Sequence, residues 1–404
     1  MKKSLQSICI ITCMFISSQL LAQWQPCDTG NSIGSAFCLL ESSGKILVGT
    51  SYGIHASTDN GLTWAQSNSG LILTPQCFIY CLGKSSAGIF AGSITKIYFS
   101  NDNGASWNVS NSLVYEPKGF AFLGDTVFVA TIYAGILMSP NNGATWTPMN
   151  NGLTTDTVYS IKTKGHLLFA GTYNNGVFVS SNSGVSWSSV SNGLPIPATV
   201  YCLETDGTNL FAGVTAHGMF QSSNDGASWF QVSGGLPTDG TITDIFSIGN
   251  ALLAADSGAY RSLDHGGTWT GYNDNINITG GCGAITYLRC FCANSLYVFC
   301  GISVGCPISV YRRDINEVVS TNEYPYFTQN ITLFPNPTSN LLHLQLPDSF
   351  GEVKTLSIYN SLGQLQIIQG NIPMLNFSGY ETGLYYLIAT NSKGATMHGK
   401  VLKE

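Results

Sequence analysis

Ser57-Thr58-Asp59-Asn60-Gly61-Leu62-Thr63-Trp64 is one copy of an octet that returns five more times along the chain. The other copies begin at Ser100, Ser139, Ser180, Ser222 and Ser262 and end at Trp107, Trp146, Trp187, Trp229 and Trp269. With Trp24 these are all seven tryptophans, spaced 40, 43, 39, 41, 42 and 40 residues apart. A fixed period near forty marks a repeat architecture, so the unit to interpret is the repeat.

In the fourth repeat, Val158-Tyr159-Ser160-Ile161 alternates as a strand and turns at Lys164-Gly165. His166 to Gly171 reads as a second strand. The loop Thr172-Tyr173-Asn174-Asn175-Gly176 leads to a third, Val177 to Ser180, and the octet turns the chain into a last strand from Trp187. Four short antiparallel strands per forty residues is the size of a β-propeller blade. The octet's fifth residue (Gly61, Gly104, Gly143, Gly184, Gly226, Gly266) is a glycine free to take positive φ in the hairpin. Ser with Asp or Asn can satisfy the amides the turn exposes, and Trp supplies an apolar plate between sheets.

The pattern S-x-[DN]-x-G-x-[ST]-W resembles the Asp-box of the sialidase-like BNR repeat family. That resemblance implies a propeller whose octets are structural: Ser57, Asp59, Gly61 and Trp64 in the first copy, Ser100, Asp102, Gly104 and Trp107 in the second. Asn141, Asn182 and Asn224 replace the acid in three copies, beside Ser139, Ser180 and Ser222. Asn keeps the hydrogen bonds and argues against the acid performing chemistry; Asp264 ends the series between Ser262 and Gly266.

Six octets do not mean six blades. A seventh set of strands follows Trp269 without an octet: Ala284 to Leu288, Ser295 to Phe299 and Ile308 to Tyr311. Trp24-Gln25-Pro26 has the register of a last strand with nothing before it, so the expectation is an all-β, seven-bladed propeller over residues 23–315, closed by its N-terminal strand. Closure removes the sheet edges that invite aggregation.

Charged residues are only 9% of the chain and the net charge is −6, with no basic patch, which excludes nucleic acid as a partner. Lys2, Lys3, an apolar stretch from Ile8 to Phe15 and Leu20-Leu21-Ala22 read as a signal peptide over 1–22. No later stretch is long enough to span a bilayer. Ten cysteines then remain. Cys38, Cys81 and Cys202 recur at one repeat position as small core residues, whereas the group from Cys282 to Cys306 is the expected disulfide source, with Cys27 as a partner across the closure seam. Cys290 and Cys292 lack histidine partners, and no metal or cofactor is expected.

After Asp314 the grammar changes. A linker, 316–328, precedes a segment over 329–404 whose alternating strands suggest a small β-sandwich. Its landmarks are Pro335-Asn336-Pro337, Ile358-Tyr359-Asn360 with Gly363, the strand Gly383-Leu384-Tyr385-Tyr386-Leu387, and a basic end. In this order they resemble the C-terminal sorting domain of the type IX (Por) secretion system. The resemblance implies export to the outer surface or beyond, and the secretion machinery as a partner.

Chemistry is harder to find. The sialidases of this fold clamp a carboxylate with three arginines from different blades, but Arg261, Arg289, Arg312 and Arg313 are the only arginines and none lies in the first five repeats. Sialidase activity is therefore not expected, and no catalytic residue is assigned. A glycosidase needs two placed carboxylates; Glu116, Asp156, Asp239, Asp244 and Asp256 are the acids expected on the face opposite the octets. Gly49-Thr50-Ser51-Tyr52-Gly53 and Gly301-Ile302-Ser303-Val304-Gly305 match G-x-S-x-G but sit in hairpins, not strand-to-helix turns. What remains is a binding face: Tyr52, Tyr133 and Tyr173 at near-equivalent loop positions, with Asn174, Asn175 and His217 beside them. Aromatic plates with neutral amides suit a glycan or protein ligand. A glycoside hydrolase and a structural adhesion component are the alternatives.

Overall fold

The octet turns carry the local order. In the first copy the Gly61 amide donates to Ser57 Oγ at 2.7 Å, and Ser57 Oγ donates to Asp59 Oδ1 at 2.7 Å. Asp59 also accepts from the Thr63 amide at 2.9 Å and the Thr63 hydroxyl at 2.5 Å. Two consecutive left-handed residues reverse the chain, Asn60 at φ 59° and Gly61 at φ 83°. Partial burial pushes the Asp59 carboxyl up, but the Thr63 and Ser57 donors prevail and hold it at about 2. In the Asn copies the proton runs the other way: Asn182 Nδ2 donates to Ser186 Oγ at 2.9 Å while Asn182 Oδ1 still accepts the Ser186 amide. The turn therefore closes with either side chain.

The computed structural model describes residues 23–27, 33–73, 77–112, 115–232, 234–274, 276, 287–303, 310–319, 332–346, 352–360, 365–369, 374–391 and 396–404. The chain forms two units, 1–321 and 322–404.

The first unit is an all-β propeller whose described residues form seven four-stranded antiparallel sheets. The fourth sheet runs Val158–Lys164, Leu167–Thr172, Val177–Ser180 and Ser188–Ser189 in sequence order, innermost strand first. Six sheets follow this plan. The seventh takes Tyr287–Ala293, Tyr297–Ser303 and Val310–Asp314 from the end of the unit and Gln25–Pro26 from its start. There Gln25 pairs with Arg312 and Pro26 with Tyr311. The N-terminal strand thus closes the ring.

Tryptophan ties several sheets to the one before. The indole N–H of Trp107 donates to the Ser67 carbonyl at 2.8 Å, that of Trp187 to Met149 at 2.8 Å and that of Trp229 to Val190 at 2.7 Å. Each acceptor lies just past the outer strand of the preceding sheet. Trp24 repeats the contact at the seam, donating to the Tyr272 carbonyl at 2.7 Å, with its amide on the Asp274 carbonyl at 3.0 Å. The apolar core is divided among these interfaces: one cluster joins Phe169 and Val177 to Val200 and Leu210, and another joins Phe299 and Val310 of the seventh sheet to Ile46 and Val48 of the first. Burial of this kind is the dominant favourable term in folding.

The end of the unit departs from the sequence reading. Ile315–Val319 is a short helix where the linker was expected, because Val318 is fully buried against the seam core. Its Glu317 carbonyl accepts from Arg261 Nη1 at 2.7 Å and from the Tyr272 hydroxyl at 3.0 Å. Arg261 and Arg313 lie 4.5 and 3.8 Å from the Tyr272 ring centroid. Arginines that could not build a distributed clamp are here gathered to fasten the closure.

The cysteines also correct an expectation. Cys290, Cys292 and Cys300 are buried free thiols and not disulfides. Cys290 and Cys292 are two apart on one strand and face the apolar cluster between the seventh and first sheets, while Cys300 faces the opposite interface. A side chain pointing into a packed interface fills volume there, as Cys38, Cys81 and Cys202 do opposite Gly49, Gly92 and Gly213. Cys282 and Cys306 lie outside the described residues.

The second unit is a small sandwich. Thr332–Phe334, Leu341–Gln345 and Met374–Asn376 form one sheet; Leu365–Gln369, Val353–Asn360, Gly383–Asn391 and Thr396–Lys403 form the other. Leu342, Leu356, Ile358, Phe377, Leu387 and Val401 make its core. Asn336, between Pro335 and Pro337, accepts the Leu402 amide at 3.0 Å, which ties the opening of the unit to its last strand. Tyr385 is buried with its hydroxyl on the Glu381 carbonyl at 3.0 Å. Tyr359 lies in the strand Val353–Asn360, and Gly363 lies outside the described residues.

Candidate ligand-binding site

Each innermost strand meets its neighbour with a flaw. In six of the seven sheets the register shifts by one residue near the start of that strand, a β-bulge. The extra residues are Phe37, Tyr80, Lys118, Tyr159, Tyr201 and Arg289. The sixth sheet has no bulge there, and Thr243 stands at that place.

The bulge re-aims these side chains toward the ring axis, where they make two contact groups. The Phe37 and Tyr80 ring centroids are 5.4 Å apart, and Phe78 stacks on Tyr80 at 5.9 Å. Lys118 Nζ lies 5.1 Å from the Tyr80 ring centroid and pairs with Glu116 at 2.5 Å. Tyr159 stacks on Tyr201 at 5.3 Å. Arg289 Nη1 donates to the Tyr201 hydroxyl at 3.3 Å. That last contact joins the seventh sheet to the fifth and skips the sixth, which requires the two side chains to reach toward the axis. All six residues are half-buried.

Tyr52, Tyr133 and Tyr173 stand in the hairpins between second and third strands and are 58%, 70% and 48% exposed. Tyr173 reaches the axial group, 6.4 Å from Tyr159. Burial raises the Tyr159 phenol, and Tyr201, Tyr173, Glu116 and Tyr133 raise it further, so it stays a neutral donor. The amides beside them are already engaged: Asn174 Oδ1 accepts from the Thr199 hydroxyl at 2.9 Å and Asn175 Nδ2 donates to Thr154 at 2.7 Å. His217 Nδ1 meets the Thr215 carbonyl at 2.9 Å. Both asparagines and the histidine thus shape the loops, and the rings are what face outward.

The carboxylates are spread over several sheets, and of the five Asp239 and Asp256 lie near enough to interact. Glu116 is held by Lys118, and Asp156 is exposed at a loop. Asp239 is exposed and adds to the upward push that burial exerts on the Asp256 carboxyl. Asp244 lies on the innermost strand of the sixth sheet, not in a face loop, and accepts the Phe291 amide of the seventh at 2.8 Å. Burial raises its carboxyl to about 7; Glu204 adds to this, against the Phe291 amide and Lys162. Lys162 and Glu204 are themselves paired at 2.5 Å. Ser51 sits in the tight turn between Lys45–Thr50 and Gly53–Ser57. Among the described residues no cluster of His, Cys, Asp and Glu is placed to hold a metal ion, and no helix is long and apolar enough to cross a membrane.

The bulge residues were within reach of the sequence. Phe37, Tyr80 and Tyr201 each directly precede the recurrent cysteine, but period-two alternation gives no sign that this position is doubled.

Comparison with known proteins follows this division. Residues 122–251 match the DUF6242 beta propeller domain and residues 332–404 the secretion system C-terminal sorting domain. No curated protein matches the chain. The extracellular domain assigned to the hybrid two-component system BT4673 of B. thetaiotaomicron aligns at TM-score 0.60 and 17% identity, over 95% of this chain and 47% of that one. This chain therefore spans about half that structure's length. YCF48 from Cyanidioschyzon merolae aligns at TM-score 0.53 and 16% identity, over 72% of this chain and 98% of that one. It is matched in its D1-peptide-bound form as well. The GH74 xyloglucanase of Xanthomonas campestris aligns at TM-score 0.56 and 12% identity, over 94% of this chain and 74% of that one. At these identities the likeness is one of fold. The C-terminal unit is a sorting domain of the type IX secretion system, and it consigns the chain to export, to the outer cell surface or the extracellular space.

Proposed function

We propose that this chain is an exported binding propeller without catalytic activity, whose ligand, a glycan or an extracellular protein segment, docks on the face that carries Tyr52, Tyr133 and Tyr173. The observation that carries this reading is the convergence of aromatic side chains from separate sheets at one end of the axis, continuous with the exposed Tyr173. Aromatic surface offers large contact area at small conformational cost, and phenol hydroxyls orient what lies on it. Export supplies the setting in which such a face meets its ligand. The likeness to YCF48 in its D1-peptide-bound form supports a protein segment by analogy of fold.

Glycoside hydrolysis is the second reading, supported by the fold shared with the GH74 xyloglucanase and by Asp239 lying near Asp256. Against it, Asp256 is buried. The test is to incubate the purified protein with glycan arrays and polysaccharides, reading binding and released reducing ends together. Binding without cleavage is expected. Cleavage would replace the binding reading with hydrolysis; silence toward glycans would leave the protein segment as the ligand.

A further inference from the structure

We infer that the axial end of the propeller is a docking site for the terminus of a neutral glycan, held by the bulge residues Phe37, Tyr80, Lys118, Tyr159, Tyr201 and Arg289. The inference rests on the binding reading above and narrows it to one ligand class and one place.

Three observations select that class. The first is charge. Lys118 is paired with Glu116 at 2.5 Å, and farther along the innermost strands Lys162 is paired with Glu204 at 2.5 Å. Arg289 donates to a phenol. Each of these lysines is matched by an acid, so the site holds no broad field of one sign to draw in a polyanion or a polycation. A ligand without charge loses nothing there.

The second is shape. Planar rings from the first, second, fourth and fifth sheets surround the axis, with phenol hydroxyls among them. A sugar ring presents an apolar face for stacking and a rim of hydroxyls for hydrogen bonding, which is the complement of such a surface. Lys118 over the Tyr80 ring and Arg289 on the Tyr201 hydroxyl help to fix those rings in place.

The third observation weighs against a peptide. An extended peptide gains affinity by adding a strand to a sheet edge. Five outer strands are only two residues long: Gln25–Pro26, Ala65–Gln66, Thr147–Pro148, Ser188–Ser189 and Thr270–Gly271. The inner edges carry the bulges, which interrupt pairing. Only the second sheet, whose outer strand Asn108–Ser112 runs five residues, offers a peptide an edge of useful length.

The test is calorimetric titration of the full exported chain with cellohexaose, laminarihexaose, mannohexaose and maltohexaose, and with neutral and acidic decapeptide pools. Saturable binding of at least one hexasaccharide is expected, unchanged between low and high salt. Tyr159→Ala and Tyr201→Ala should each weaken it about tenfold, the loss of roughly one stacked ring, while Leu62→Ala on the octet face leaves it intact. If an alanine variant fails to fold, Tyr159→Leu and Tyr201→Phe keep bulk and still remove stacking or the hydroxyl. Hexasaccharide binding that ignores all four variants would overturn the site. Decapeptide binding without sugar binding would overturn the ligand class but leave the binding reading standing. Silence toward every probe would overturn both.

Discussion

Trp24 stands to Tyr272 as Trp187 stands to Met149: an indole N–H on the carbonyl just past the outer strand of the preceding sheet, 2.7 Å in one case and 2.8 Å in the other. A residue near the start of the described chain therefore performs the last repeat's task. Trp24 is fully buried against Tyr272 and Phe291. Trp24→Ala should cost about 3–5 kcal/mol, the range for removing a large buried aromatic. Urea denaturation would read it as a lower midpoint, with amide exchange quickening first in Val310–Asp314. An unchanged midpoint would mean that the ring does not depend on this closure.

Val318 should matter to the propeller although it lies beyond the last repeat strand. It is fully buried in the seam core, and the Glu317 carbonyl next to it receives Arg261 and Tyr272. Val318→Ala should destabilise the propeller by about 2 kcal/mol, read by thermal unfolding of the full chain. Asn316→Ala, on the exposed side of the same helix, should cost little. Equal effects from the two substitutions would show that the helix is not anchored by its buried side.

Asp244 should tie stability to pH. Its carboxyl is raised to about 7, chiefly by burial, from an ordinary value of 3.8. The folded chain then holds a proton that the unfolded chain releases between those values. Its contribution is complete below pH 3.8 and is lost as pH rises through about 7. Asp244→Asn retains an oxygen for the Phe291 amide and removes the titration. Relative to wild type, the variant should gain stability from pH 5 to pH 8, on the order of a few kcal/mol. A difference that stays flat with pH in denaturation experiments would refute the assignment.

The octets make the opposite prediction for their acids. The Ser106 hydroxyl and amide and the Ser100 hydroxyl hold Asp102 at about 2. A depressed carboxyl stabilises the fold above its unfolded value and loses that contribution as pH falls toward 2. Asp102→Asn should leave the fold nearly unchanged at neutral pH, because Asn141, Asn182 and Asn224 close the same turn. Ser100→Ala removes the acceptor of the buried Gly104 amide, at 2.8 Å, and should cost about 1–3 kcal/mol. Melting curves of the two variants at neutral pH decide this: equal shifts would contradict the division of labour.

Much of this architecture was legible before any coordinates. Seven tryptophans in one register announced the repeat, and the unmatched Trp24 announced how the ring closes, because both follow from local patterns of period two and turn residues. The sorting unit was legible through four landmarks in order. Three things were not. The thiols of Cys290, Cys292 and Cys300 read as disulfide partners by spacing, yet strand alternation directs them into two different packed interfaces. Asn174 and Asn175 read as ligand amides, yet their partners Thr199 and Thr154 come from neighbouring loops. Residues just after Asp314 read as linker, yet Val318 finds a seam core assembled from Trp24, Leu288 and Ile302.

What the sequence determined by itself is therefore the repeat, the turn that punctuates it, the closing strand and the address at the end of the chain. Each depends on residues close together or on a period that persists. Only the tertiary structure decided what stands at the axis. Phe37, Tyr80, Lys118, Tyr159, Tyr201 and Arg289 follow one another at intervals of some forty to ninety residues along the chain. A one-residue shift in the pairing of six inner strands turns them toward the axis, where they meet in two groups. A bulge shifts the two-residue alternation by one, but in strands of six or seven residues the run on either side is too short for that shift to be read before the strands are paired.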